Sequence, residues 1–186
     1  MRAYYFDNEP TDQRLPHDYD PSKPVDVETL GRLGVLYWRV PVENYQSEID
    51  GIAAERSYKN RDTINVTKEG LGDQYEAKIK SFFEEHMHED EEIRYILSGS
   101  GYFDVREHPK DEWIRIAVAP GDLLVLPAGI YHRFTLDTEN KIQALRLFKV
   151  NSELLLDEPK WTPLNRSSET DGNIHRIDYL RSIGIL

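Results

Sequence analysis

The chain has 186 residues, no cysteine, and 34 acidic against 23 basic side chains, for a formal net charge of −11. The missing cysteines exclude disulfides, zinc fingers, iron–sulfur clusters and thiol nucleophiles, so a metal site here must use nitrogen and oxygen ligands. The acidic balance argues against a nucleic-acid partner, because phosphate binding needs a basic footprint, and its plain reading is solubility. The length fits one domain. The first eight residues lack the apolar core of a secretory signal. No stretch approaches 18 apolar residues, so no membrane partner is expected.

In chain order, Ala3 to Phe6 reads as an edge strand, followed by an extended arm with Pro10, Pro16, Pro21 and Pro24. Asp26 can cap a helix starting at Val27, and Gly34 can close it. Val35 to Val40 is strand-like. Tyr45 to Glu55 is helical, with Ile49, Ile52 and Ala53 on one face, and the Asn60-Arg61-Asp62 cluster is expected to end it. Thr63 to Val66 reads as a short strand. Tyr75 to Phe83 is a second amphipathic helix, with Tyr75, Ile79, Phe82 and Phe83 on its apolar side. Residues 26–84 thus form a helix-rich lead-in. After Glu85 the texture turns to short strands: Ile93–Leu97, Tyr102–Arg106, Trp113–Val118, Leu123–Leu126, Tyr131–Leu136 and Ile142–Val150. Ser98-Gly99-Ser100-Gly101 reads as a hairpin turn between the first two, and Pro120-Gly121-Asp122 as a turn between the third and fourth. Strands of this length and spacing indicate a sandwich or small barrel. A short helix near Ile177–Ile183 closes the chain.

The chemistry concentrates in His86-Met87-His88-Glu89-Asp90-Glu91-Glu92 and in the later His132. If residues 86 to 92 form one strand, His86, His88 and Glu92 share a face. His132 follows a Pro127-x-Gly129 turn. Three imidazoles and a carboxylate make a borderline-to-hard site that suits Fe(II), Ni(II), Mn(II) or Co(II). In an octahedral geometry it leaves two positions open for chemistry. Arg94 shares parity with Glu92, so it faces the same lumen, either toward an anionic substrate or as a structural ion pair with a carboxylate. Phe134 shares parity with His132 and can wall the pocket. Phe103 is a weaker candidate because its register is open, and core packing is the plainer expectation for both phenylalanines. Glu92 is the candidate to take a substrate proton, though the sequence does not decide this. Glu89 and Glu91 have the opposite parity and are read as solvent-facing. His17, His108 and His175 are read as surface or structural.

The residues fall into two linked patterns, His86-x-His88-x3-Glu92-x6-Gly99 and Gly121-x5-Pro127-x-Gly129-x2-His132, which resemble the paired motifs of the cupin superfamily. Leu136 stands where the second motif often has asparagine. More closely, the segments 82–106 and 126–136, together with Leu33-Gly34-Val35-Leu36-Tyr37-Trp38, Ala144-Leu145-Arg146-Leu147-Phe148 and Glu158-Pro159-Lys160-Trp161, resemble the acireductone dioxygenases of eukaryotic type. One departure is an apparent short insertion at residues 150–156.

The resemblance implies a mainly β fold: a cupin, jelly-roll-like β-barrel with a helix-rich N-terminal lead-in and a short C-terminal helix. It implies one domain over residues 1–186, with 26–84 as lead-in and 85–150 as the metal-binding barrel core. It further implies one Fe(2+) or Ni(2+) per chain, held by His86, His88, Glu92 and His132, with Arg94, Phe103 and Phe134 around the substrate and Glu92 and Arg94 as the catalytic pair. The reaction would cleave an acireductone, 1,2-dihydroxy-3-keto-5-methylthiopentene, with O2 in methionine salvage. A monomer is expected, in the cytoplasm, with relatives suggesting the nucleus as well. Two competing readings are a cupin dioxygenase with another substrate, such as a flavonol or a thiol, and a non-catalytic metal-binding cupin acting as a regulatory or interaction module.

Overall fold

The computed structural model describes residues 1–149 and 162–186. The insertion read at 150–156 and the match at 158–161 lie outside the described residues. Two antiparallel sheets face each other across a shared lumen. The strands are β1 (Arg2–Tyr5), β2 (Leu36–Arg39), β3 (Asn60–Val66), β4 (His86–Met87), β5 (Glu92–Gly99), β6 (Gly101–Arg106), β7 (Trp113–Val118), β8 (Asp122–Leu126), β9 (His132–Leu136), β10 (Ile142–Phe148) and β11 (Leu164–Asn165). One sheet has the order β1-β7-β6-β9-β4-β11, the other β2-β8-β5-β10-β3. The helices are α1 (Val27–Arg32), α2 (Tyr45–Glu55), α3 (Lys68–Leu71), α4 (Tyr75–Phe83), α5 (Ser168–Asp171) and α6 (Ile174–Ser182). Among the described residues no helix is long and apolar enough to cross a membrane.

Side-chain alternation builds two cores from the five-stranded sheet. Ile96, Leu124, Leu126, Ile142 and Ala144 point into the lumen, where they meet Phe103, Val105, Ile114, Ile116 and Leu136 of the facing sheet. Ile93, Tyr95, Leu123, Val125, Leu145 and Leu147 point outward and are covered by Ile49, Ile52 and Ala53 of α2. A sheet buried on both faces needs nearly continuous apolar strands, which explains the run Leu123 to Leu126. β2 and β3 both belong to this sheet, so the strand-forming parts of residues 26–84 are built into the barrel wall.

The outer face of the six-stranded sheet is polar and is covered by the N-terminal arm. Arg115, fully buried, grips Asp104 with two hydrogen bonds of 2.7 and 2.9 Å. Its third nitrogen donates to the carbonyls of Gln13 and Leu15. Arg133 reaches the same Asp104 at 2.8 Å. His17 is buried in this arm, with Nδ1 on Asp7 at 2.7 Å and Nε2 on the Asp12 carbonyl at 2.9 Å. Its role is therefore structural.

Several expectations change. Ser98 to Gly101 is not a hairpin turn: β5 and β6 lie in different sheets, and the chain crosses between them. Gly99 takes φ +73° where a Cβ would collide with the Lys141 carbonyl, and a side chain at Gly101 would meet the Thr135 carbonyl. The glycines are needed for close crossing rather than for reversal. The 120–122 turn likewise links different sheets. β3 begins at Asn60, because Asn60, Arg61 and Asp62 pair with Phe148, Leu147 and Arg146. The last helix starts at Ile174, capped by the Asn173 side chain.

The Asp104 cluster gives a stability test. Asp104→Ala leaves two buried guanidinium groups without their shared carboxylate. It is expected to cost about 3–5 kcal/mol, the typical penalty for breaking a buried ion pair. Urea unfolding of the two proteins measures it, and a loss under ~1 kcal/mol would show that the arm does not seal this cluster.

Candidate metal centre

The ligand candidates come from both sheets. His86 and His132 are direct cross-strand partners on β4 and β9. Glu92 opens β5 in the opposite sheet, paired with Leu126. β4 holds only His86 and Met87, and His88 lies in the connection that crosses to β5. Residues 86 to 92 are thus not one strand. The shared face follows from the chain turning the corner of the barrel, with both sheets looking into one lumen.

All four side chains are buried, at 2–7 % exposure. One nitrogen from each histidine lies within 4.8 Å of the others. Glu92 Oε2 lies against two of them, 3.0 Å from His88 Nε2 and 3.3 Å from His132 Nε2. His86 Nδ1 donates to the Glu84 carbonyl at 2.6 Å and His132 Nδ1 to the Ile130 carbonyl at 3.0 Å. A carbonyl can only accept, so both rings carry a proton on Nδ1 and aim Nε2 inward. Nε2 is then the atom each ring would offer to a divalent metal beside the carboxylate, giving up any proton it carries when the ion binds. The donor set fits such an ion.

Charge in the site follows from burial and neighbours. Burial, together with nearby His132, pushes His86 down to about 3. Burial alone would raise Glu92, but Arg94 and the hydrogen bonds from His132 and His88 outweigh it and hold the carboxyl well below the usual range. Arg94 Nη2 lies 3.3 Å from Glu92 Oε1. Burial lowers Arg94 to about 10, which keeps it cationic at neutral pH. It both faces the pocket and pairs with Glu92.

The site forms one end of a cavity of about 280 Å³. Phe103 and Phe134 are cross-strand partners with ring centroids 4.9 Å apart, and both line it. Phe103 is also buried core, while Phe134 is half-buried. Away from the histidines the walls are apolar: Ile64, Val66, Leu71, Ile96, Ile142 and Ala144. Lys78, Ser81 and Phe82 of α4, together with Arg146, complete the lining. Sequence reading missed these. The alternation Ile142-x-Ala144-x-Arg146 opposite Ile96 and Arg94 was the available signal for β10. The acidic run does not supply partners for the histidines. Glu91 is not simply solvent-facing: it is half-buried and pairs with Arg56, Tyr58 and Lys149. Glu89 accepts from Asn173.

A family model described as the ARD/ARD' family matches residues 2–162. The chain is 63% identical to acireductone dioxygenase 1 of Coprinopsis cinerea over 185 residues, covering 100% of this chain and 99% of that protein. It is 53% identical to the acireductone dioxygenase of Aspergillus fumigatus over 183 residues, covering 98% and 97%. Among solved structures it is similar to an acireductone dioxygenase from Bacillus anthracis with a cadmium ion in its active centre. That likeness has a TM-score of 0.64 at 24% identity and covers 78% of this chain and 94% of that one. It agrees with the expected cupin fold.

The His86 environment sets a pH dependence for the metal-free protein. An unfolded His86 protonates near 6.5, whereas the folded one stays neutral down to about 3. Between those values the unfolded state binds the extra proton. The contribution is therefore complete above about pH 6.5 and is lost as pH falls toward 3. The unfolding free energy of metal-free wild type, measured by urea titration, is expected to fall by about 1 kcal/mol more per pH unit between 6 and 4 than that of His86→Gln. Parallel curves would show that His86 is not held neutral.

Proposed function

Since this chain belongs to the ARD/ARD' family, we propose that it is a metal-dependent dioxygenase that cleaves an acireductone with O2 in methionine salvage. The observation that carries this reading is the convergence of His86, His88, His132 and Glu92 in a cavity whose remaining walls are mostly apolar. We assign those four residues as the ligands of one Fe(2+) or Ni(2+) per chain. The bound metal would supply Lewis-acid stabilisation of the enediolate and a template for its reaction with oxygen.

The chain's own residues do the rest. Arg94 offers a guanidinium to the oxygen-rich head of the substrate, and its charge-assisted hydrogen bonds offset the anion. Glu92 anchors that guanidinium through Oε1 while Oε2 turns toward the histidines. A carboxyl held well below its usual range suits a ligand and is a weak proton acceptor, so Glu92 takes the ligand role in this proposal. Phe103 and Phe134 close one side of the pocket, and Ile64, Ile96 and Ala144 line the space for the apolar methylthio tail. Because β2 and β3 are part of the barrel wall, residues 1–186 are proposed to act as one domain. A cytoplasmic monomer, also present in the nucleus, completes the reading.

Reconstitution with a single metal tests it. Stripped protein loaded with Fe(2+) and given acireductone and oxygen is expected to release formate and 2-keto-4-methylthiobutyrate. The Ni(2+) form is expected to release methylthiopropionate, formate and CO. His132→Ala should abolish turnover. Arg94→Met should lower kcat/KM about 10- to 100-fold, the worth of one charged hydrogen bond. Protein holding one metal per chain but turning over no faster than spontaneous oxidation would overturn the assignment.

A further inference from the structure

The turn that precedes His132 contacts two ligand candidates at once. The Gly129 N–H donates to the His88 carbonyl at 2.9 Å. One residue later, the Ile130 carbonyl accepts from His132 Nδ1 at 3.0 Å. The carbonyl between these two contacts belongs to Gly129, and it accepts from Arg176 Nη1 of α6 at 3.0 Å. Gly129 holds φ +79°, and a Cβ there would collide with the His175 carbonyl and crowd the Tyr179 side chain. Helix α6 is therefore seated directly against this turn.

Arg176 is 5% exposed, with its guanidinium 4.5 Å from the Tyr131 ring centroid and 5.3 Å from that of Tyr179. Among the described residues it forms no ion pair. A buried guanidinium without a carboxylate carries a desolvation cost. A leucine would pack between two tyrosines without that cost, so the hydrogen bond to Gly129 needs a reason beyond packing.

We propose that Arg176 is a positioning residue of the metal centre: by fixing the Gly129 carbonyl it orients the turn that holds His88 and His132. The inference rests on the metal-centre reading above. It makes the C-terminal helix, more than 40 residues after His132 in sequence, part of the apparatus that aims two ligands. Partners of this rank typically affect metal affinity 10- to 100-fold.

The test uses Co(2+) as the probe. Its dissociation constant is measured by competition with a chelator, and its visible absorption reports ligand geometry. Arg176→Met is expected to raise the dissociation constant about tenfold or more and to alter the Co(2+) spectrum. Arg176→Lys should recover part of both. Arg181→Ala, which breaks only an exposed pair with Asp178 on the same helix, should change neither. An Arg176→Met protein that melts earlier but keeps the wild-type affinity and spectrum would reduce Arg176 to a packing role and overturn the proposal. Hydrogen exchange on the wild-type chain decides the matter even if that variant does not fold. Removing the metal should raise exchange in residues 174–182 as well as in 86–92, because coupling is reciprocal. An α6 indifferent to the metal overturns the proposal. A wild-type chain that binds no Co(2+) at all overturns the metal-centre reading itself, and this inference with it.

Discussion

Glu92 is a buried carboxylate surrounded by three buried imidazoles, and removing such groups from water costs several kcal/mol per charge unless each is answered. Arg94 answers the carboxylate at 3.3 Å, burial holds His86 neutral, and the Nδ1 atoms of His86 and His132 are each answered by a backbone carbonyl. Much of the local architecture serves that arrangement. The chain must change sheets between Met87 and Glu92, the Pro127–Gly129 turn must pass close to His88, and the Glu84 carbonyl must lie at the end of α4. Each is a backbone condition, and each is met at a point where the chain leaves one sheet for the other.

This division explains what could be read from residues alone. His86, His88, Glu92 and His132 were visible because metal ligands are side chains with restricted chemistry. The grouping by strand parity picked out four residues that the structure brings together, through a mechanism that holds only in part. It applies to His132 and Phe134, which share one continuous strand. It does not apply across 86 to 92, where β4 ends after two residues. The Ser98–Gly101 segment illustrates a related ambiguity: glycines serve a reversal and a close crossing equally, and only the pairing of distant strands separates the two. The orienting carbonyls of Glu84 and Ile130 had no sequence signal, since every residue has one. Arg176 was equally silent, as a lone arginine in a polar helix.

The lead-in and the barrel strands divide the labour of the pocket. The ligand candidates and Arg94 come from residues after Glu85. Much of the remaining wall comes from before it: Ile64 and Val66 on β3, Leu71 at the end of α3, and Lys78, Ser81 and Phe82 on α4. Phe82 and Phe134 meet in a T-shaped contact, with centroids 6.2 Å apart, which ties the two stretches together at the cavity wall. The pocket wall thus draws on both stretches of the chain, while the ligand candidates come from one.

The strand connections have a further consequence, for how the chain reaches this state. Among the described residues, only β6 and β7 are both consecutive in sequence and paired in a sheet. The other pairings join segments far apart, such as β1 with β7, β2 with β8 and β3 with β10. Such long-range contacts require large loops to close before they return any stabilisation, which slows folding relative to chains of similar size built from hairpins. The β6–β7 hairpin is the one local nucleus the sheets provide, and it carries both Asp104 and Arg115. The four ligand candidates come together only once the chain has crossed between the sheets several times.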